Sequence, residues 1–121
     1  MKRVVIVFAV LLVVLVVLRY HVSEGFQGSD EIAVIICKAD WCGHCQKAAP
    51  EFDRLVAASP IALTNGKKAV VTRLDADKDK AELAKYTIRG FPTILIQKGG
   101  ETTEYPNERT YDGVVEFLNQ M

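Results

Sequence analysis

Ile32-Ala33-Val34-Ile35-Ile36-Cys37-Lys38-Ala39-Asp40-Trp41-Cys42-Gly43-His44-Cys45 is the stretch that decides the fold. Its first six residues are apolar without a break and rich in Ile and Val, the pattern of a strand buried on both faces, as in parallel sheets. A Cys-x-x-Cys follows at once. Beyond it Ala49, Phe52, Leu55 and Val56 recur at helical spacing, while Glu51, Asp53 and Arg54 point outward. The stretch therefore reads as a buried strand feeding a helix whose first turn begins at Cys42. Pro50 lacks the donor for the bond to residue 46 and is expected to kink that helix; Ser59-Pro60 ends it.

This placement carries a mechanism. Cys42 would sit over unsatisfied backbone N–H groups at the positive end of the helix dipole, which stabilises a thiolate. Such a site lowers a cysteine pKa from about 8.5 into the range of roughly 3.5–7.5. The thiolate is the attacking species, so Cys42 is expected to be the nucleophile. Cys45, one turn later and more buried, is expected to resolve the mixed disulfide. Gly43 and His44 between them let the sulfurs meet within one turn. A charged His44 would stabilise the Cys42 thiolate further, favouring the dithiol and making the pair a better oxidant. Trp41 is expected to shield the site and to offer a flat apolar surface to a substrate chain.

Outward from this stretch, a loop with Asn65-Gly66 leads to a second buried strand, Ala69 to Leu74. Asp77 to Tyr86 reads as a short helix, and Gly90-Phe91-Pro92 turns into a third strand, Thr93 to Gln97. Gly99-Gly100 makes a tight hairpin turn into a fourth strand near Thr102 to Tyr105. Thr110 to Leu118 places Tyr111, Val114, Val115 and Leu118 on one helical face, with Asp112 suiting the dipole of the first turn. The order is βαβαββα, an α/β fold with a central mixed sheet and helices on both faces, over residues 32–121.

Val4 to Leu18 is fifteen apolar residues in a row, preceded by Met1-Lys2-Arg3 and followed by Arg19. Fifteen helical residues span about 22 Å, short of the roughly 30 Å hydrocarbon core. Arg19 can snorkel and Tyr20 suits the interface, so residues 4–22 are expected to form one membrane helix, within an anchor covering residues 1–22. A bilayer of about 27 Å, like that of the endoplasmic reticulum, nearly matches it. A cleaved signal peptide, giving a secreted or lumenal protein, is the competing reading; its best small-x-small site, Ser23-Glu24-Gly25, carries a charge in the middle. In both cases the Lys/Arg bias keeps the N-terminus cytoplasmic and sends the C-terminal part into a compartment where disulfides persist, the endoplasmic reticulum lumen or its equivalent. Residues 23–31 read as a polar linker, and His21 as an interfacial residue.

The chain carries 15 basic and 15 acidic residues, and half of its 121 residues are hydrophobic. Three of the basic residues, Lys2, Arg3 and Arg19, flank the apolar block, so the remainder holds twelve against fifteen acidic ones. With no basic patch, nucleic-acid binding has no electrostatic footing. Three cysteines are too few and too close for a disulfide scaffold. Cys37, Cys42, His44 and Cys45 make a nominal zinc set, but Cys37 lies on a strand pointing into the core, against tetrahedral convergence. No metal and no cofactor is expected beyond a redox-active Cys42–Cys45 pair; Cys37 reads as a buried core residue.

Trp41-Cys42-Gly43-His44-Cys45, with Gln46, Lys47 and Ala49-Pro50-Glu51-Phe52, closely resembles the active-site segment of protein disulfide isomerase domains. Tyr86 and Ile88 to Thr93 resemble the cis-proline segment of that family, and Tyr105-x-x-x-Arg109-Thr110 its later arginine motif. The resemblance covers about residues 31–120 and implies a thioredoxin-like fold. It further implies a cis Pro92 whose loop, with Phe91 and Thr93, abuts the cysteines and holds an extended substrate. Arg109 is implied to swing near the site and lower the pKa of Cys45. Two departures stand out. The family's buried acid, six residues before the first cysteine, is Ile36 here, with Asp40 beside Trp41 as the alternative for proton transfer; the basic residue on the next strand, Arg73, lacks its usual carboxylate. Where the family has an aromatic, this chain has Cys37.

The expected activity is thiol–disulfide exchange, forming or rearranging disulfides in protein substrates. Gly-His between the cysteines resembles oxidising members rather than reducing ones. A reductase of protein disulfides and a tethered binding module with vestigial chemistry are the alternatives, the latter favoured by Ile36 alone. The residues name neither the substrate nor the electron partner.

Overall fold

The computed structural model describes residues 1–24 and 30–121, with the backbone alone for residues 20–24. After an N-terminal helix α1 (Lys2–Glu24) come β1 (Glu31–Lys38), α2 (Gly43–Ala58), β2 (Ile61–Ala62), β3 (Lys68–Asp75), α3 (Lys80–Leu83), β4 (Thr93–Lys98), β5 (Glu101–Glu104) and α4 (Tyr111–Asn119). The strands form one sheet in the order β2-β3-β1-β4-β5. β1 lies at its centre, parallel to β3 with Val34 opposite Val71, and antiparallel to β4 with Ile36 opposite Ile94. A central strand covered on both sides has no solvent face, which is why its sequence is apolar without alternation.

Side-chain alternation along β1 then sorts the core into two unequal parts. Ile32, Val34 and Ile36 meet Phe52 and Leu55 of α2 and Val114 and Leu118 of α4 in the larger cluster. Ile35 and Cys37 face the other way and pack with Leu95 under Leu74, Leu83, Tyr86, Ile88 and Phe91. The two helices of the larger side are tied together as well as packed. The Tyr111 backbone N–H donates to Glu51 Oε2 at 2.8 Å, and the Arg54 guanidinium stands 4.6 Å from the Tyr111 ring centroid.

Three features depart from the sequence reading. β2, two residues long, pairs antiparallel with β3 at the sheet edge through Ile61 and Ala69, too short to leave a period in the sequence. The helix expected over Asp77 to Tyr86 is a single turn, Lys80–Leu83. Asp75 Oδ1 accepts the backbone N–H groups of Asp77 and Lys78, holding a loop where that helix would start. None of the residues of α3 is buried, so no packing extends it past one turn. A second cis peptide bond, Ser59–Pro60, accompanies the expected one at Phe91–Pro92. The hairpin turn follows its glycines as read, with φ of +57° at Gly99 and +83° at Gly100, the left-handed pair that a two-residue turn needs.

α1 presents its apolar side chains to the surroundings: the large ones from Val4 to Leu18 are between 46% and 68% exposed. Among the described residues no helix is long and apolar enough to cross a membrane. The expected linker falls mostly on residues 25–29, outside the described residues.

Candidate active site

The site is built where the C-terminal end of β1 hands over to α2. Cys42 is the N-cap of α2, in extended backbone conformation at φ −89° and ψ 119°. At that position a side chain meets backbone N–H groups that have no helical acceptor. Here the Cys45 N–H donates to Cys42 Sγ at 3.4 Å. Opposite, the Cys42 thiol donates to the Phe91 carbonyl at 3.3 Å, so the loop before β4 closes directly over it. Cys45 lies one turn in, buried, and its Sγ accepts the Ala39 N–H at 3.5 Å.

These surroundings drive the two thiols apart. The Cys42 pKa is lowered, first by the hydrogen bond from the Cys45 thiol and then by the backbone N–H of Cys45. Burial opposes the shift, and the His44 backbone N–H and the Arg109 charge add to it. The Cys45 pKa is raised, first by burial and also by its bond to Cys42, with the Ala39 N–H and Arg109 pulling the other way. Cys42 is thus the more acidic and more accessible thiol, and Cys45 the buried, less acidic one behind it. All three cysteines are free thiols.

The expected site residues converge unevenly. Trp41, 67% exposed, stands edge-on to Phe91 with ring centroids 6.0 Å apart, so an apolar ledge borders the thiol. Pro92 is cis and buried, and Thr93 Oγ1 donates to the Gly90 carbonyl at 2.6 Å, fixing the turn that presents Phe91. Gly43 and His44 are exposed in the first turn of α2. Arg109 is exposed on the segment between β5 and α4, and its charge lowers the pKa of both Cys42 and Cys45. That segment is pinned: the Tyr105 hydroxyl donates to the Glu108 carbonyl at 2.7 Å, and Thr110 Oγ1 accepts the Gly113 N–H at 3.0 Å. A methyl group on Gly113 would stand 2.7 Å from the Tyr105 hydroxyl oxygen, so only glycine fits beneath that clamp.

Cys37 is fully buried on the face opposite Ile36, and burial pushes its thiol up to about 11. Among the described residues no group of three or more His, Cys, Asp or Glu could hold a metal ion. Arg73 is not left without a carboxylate; its guanidinium pairs with Asp53 of α2. The sequence reading passed over two elements of the site. Lys38 Nζ lies 2.5 Å from Asp40 Oδ1 and 2.9 Å from Asp75 Oδ2. Between that cluster and Arg73 lies a cavity of about 120 Å³ that reaches Cys45. Lys38 at the end of an apolar strand was the available clue, since a charge there needs a partner.

The thioredoxin family model matches residues 14–120. A probable protein disulfide-isomerase A6 from Medicago sativa is 35% identical over 86% of this chain and 28% of its own length. Protein disulfide isomerase-like 2-1 from Oryza sativa subsp. japonica is 36% identical over 76% of this chain and 25% of its own. The chain thus spans about a quarter of the length of these curated relatives. Among solved structures, the first thioredoxin domain of mouse protein disulfide-isomerase A4 superposes with a TM-score of 0.60 at 28% identity, covering 74% of this chain and 61% of that one. With a family model matched from within α1 almost to the last residue, and with the sheet and paired cysteines described above, the chain belongs to the thioredoxin family.

Proposed function

We propose that this chain is a thiol–disulfide oxidoreductase that forms or rearranges disulfides in protein substrates. The opposite displacement of the two thiol pKa values at the start of α2 carries the reading. Cys42 attacks a substrate disulfide as thiolate, and Cys45 then attacks Cys42 Sγ and releases the substrate. Arg109 adds positive charge near both sulfurs, and His44 lies exposed in the first turn of α2 between the two cysteines. Trp41, Phe91, cis Pro92 and Thr93 form the ledge on which an extended substrate chain lies. The redox-active pair is the only cofactor the reaction needs. The relatives named protein disulfide isomerases support substrates that are themselves proteins.

We further propose that α1 tethers residues 32–121 to a membrane through residues 4–22, with that part in the endoplasmic reticulum lumen or an equivalent oxidising compartment. The exposed apolar row Val4 to Leu18, with Lys2 and Arg3 at one end and Arg19 at the other, supports it.

The test is a redox titration of the full chain in detergent, equilibrated in graded glutathione buffers, alkylated and weighed by mass spectrometry. A Cys42–Cys45 midpoint near about −180 mV fits an oxidant or isomerase, and one near about −270 mV makes the chain a reductase. No disulfide at any poise overturns the enzymatic reading. Flotation with lipid vesicles, lost on deleting residues 4–18, tests the tether.

A further inference from the structure

The discharge step proposed above makes a demand on Cys45 that its own hydrogen bonds do not meet. Cys45 has to attack as a thiolate, yet it is 4% exposed and burial keeps its proton on. The Ala39 N–H is a donor and cannot take that proton. Open space touches Cys45 in the cavity of about 120 Å³ behind α2, walled by Lys38, Asp40, Gln46 and Arg73 among others. That volume has room for several water molecules, and Lys38, Asp40, Gln46 and Arg73 on its wall offer them partners. Lys38 and Arg73 are cations with donors only, and an amide such as Gln46 is a negligible base. Asp40 is the one carboxylate on this wall.

Asp40 is also held in place. Its backbone carbonyl accepts Gln46 Nε2 at 2.8 Å, and its Oδ1 accepts Lys38 Nζ at 2.5 Å. Lys38 is fixed from the other side by Asp75, which is buried and bonded to the backbone N–H groups of Asp77 and Lys78. The Asp40 side chain is 66% exposed, so a proton accepted on the cavity side can pass to bulk water.

We propose that Asp40 is the proton acceptor for Cys45, reached through water in this cavity, with Lys38 as its positioning residue. The inference rests on the exchange chemistry proposed above. In the step, the Cys45 proton passes through water to the Asp40 carboxylate, and the Cys45 thiolate attacks Cys42 Sγ. The Cys42–substrate S–S bond breaks, the Cys42–Cys45 bond forms, and the substrate leaves as a thiolate that takes a proton from solvent. The pair is oxidised by two electrons and the substrate disulfide is reduced by two. Lys38 and Arg73 on the cavity wall face the developing thiolate, with Asp75 and Asp53 paired behind them; Cys42 and Arg109 act from the other side.

The experiment is a single turnover of the reduced full chain in detergent with oxidised glutathione, acid-quenched and resolved by mass spectrometry from pH 5 to 9. The mixed disulfide on Cys42 forms first and decays to the Cys42–Cys45 disulfide. Asp40→Asn is expected to slow the decay about tenfold at pH 6–7, less than the roughly hundredfold or more of a base in direct contact, because water relays the proton. The deficit should close as pH rises and hydroxide takes over, while formation at Cys42 proceeds at the parental rate and Asp40→Glu recovers most of the loss. Lys38→Met should produce a smaller defect of the same pH shape. A parental decay rate in Asp40→Asn at every pH, or a slowing that is equal at every pH, overturns the inference and leaves the exchange reading standing. A parent chain whose mixed disulfide never decays overturns both.

Discussion

Cys37 lies one residue before the end of strand β1 and Cys42 caps helix α2, five residues apart on one continuous segment, and the fold treats them as different chemical groups. At the strand end the backbone donors are spent on β3 and β4, and apolar side chains surround the sulfur, so a thiolate there has no stabilising partner. At the helix start, N–H groups are left over by the geometry of the first turn and the sulfur takes them. The pKa moves up to about 11 in the first place and down from its ordinary value in the second. Reactivity is therefore a property of the element's end, not of the residue type.

The contrast can be broken most sharply by removing each sulfur. Cys42→Ser should reduce exchange with a fluorogenic peptide disulfide to that of buffer alone, whereas Cys37→Ala should leave the rate within about twofold. Iodoacetamide at pH 8 should sharpen the same comparison. With a thiol at about 11, only about a thousandth of Cys37 is ionised, so Cys42, whose pKa is lowered, should label at least about a hundredfold faster by mass spectrometry. The two sides of the sheet should part in stability as well. Phe52→Ala, on the buried face of α2, should cost about 3–5 kcal/mol in urea unfolding, while Leu83→Ala, on the one-turn helix α3 and only partly buried, should cost under about 2 kcal/mol.

The smallest expected effect concerns Asp75, whose pKa falls from 3.8 to about 2, chiefly through its bond with Lys38 and then through the Asp77 backbone N–H. A carboxyl depressed in the folded state stabilises it above the unfolded pKa, and that contribution is lost as pH falls through the folded one. The urea midpoint of the parent should therefore drop between about pH 4 and about pH 2 more steeply than that of Asp75→Asn.

Much of this was legible in the residues. The continuous apolar run of β1, the helical spacing after Cys45 and the glycine pair at residues 99–100 each encode a local rule, and the structure follows them. The cis bond before Pro92 came by resemblance. What the sequence left out depends on side-chain to backbone bonds and on contacts between segments, which leave no period. α3 fails as a long helix because an Asp75 carboxylate holds the loop before it, and no periodicity records that. The cavity behind Cys45 is walled by Lys38 and Arg73, thirty-five residues apart, which pair with Asp75 and Asp53. The Phe91 carbonyl over Cys42 is a main-chain group, invisible in a list of side chains.

The clamp around Arg109 has a consequence in time rather than in energy. Tyr105 and Glu108 fasten the backbone just ahead of Arg109, and Thr110 with Gly113 fastens it just behind. With both neighbours fixed, the Arg109 side chain can change rotamer without carrying the loop along. Rotamer changes of exposed side chains take picoseconds to nanoseconds, whereas loop motions take nanoseconds to microseconds. The charge that lowers both thiol pKa values therefore sits on the faster of these two timescales, independent of the loop that carries it.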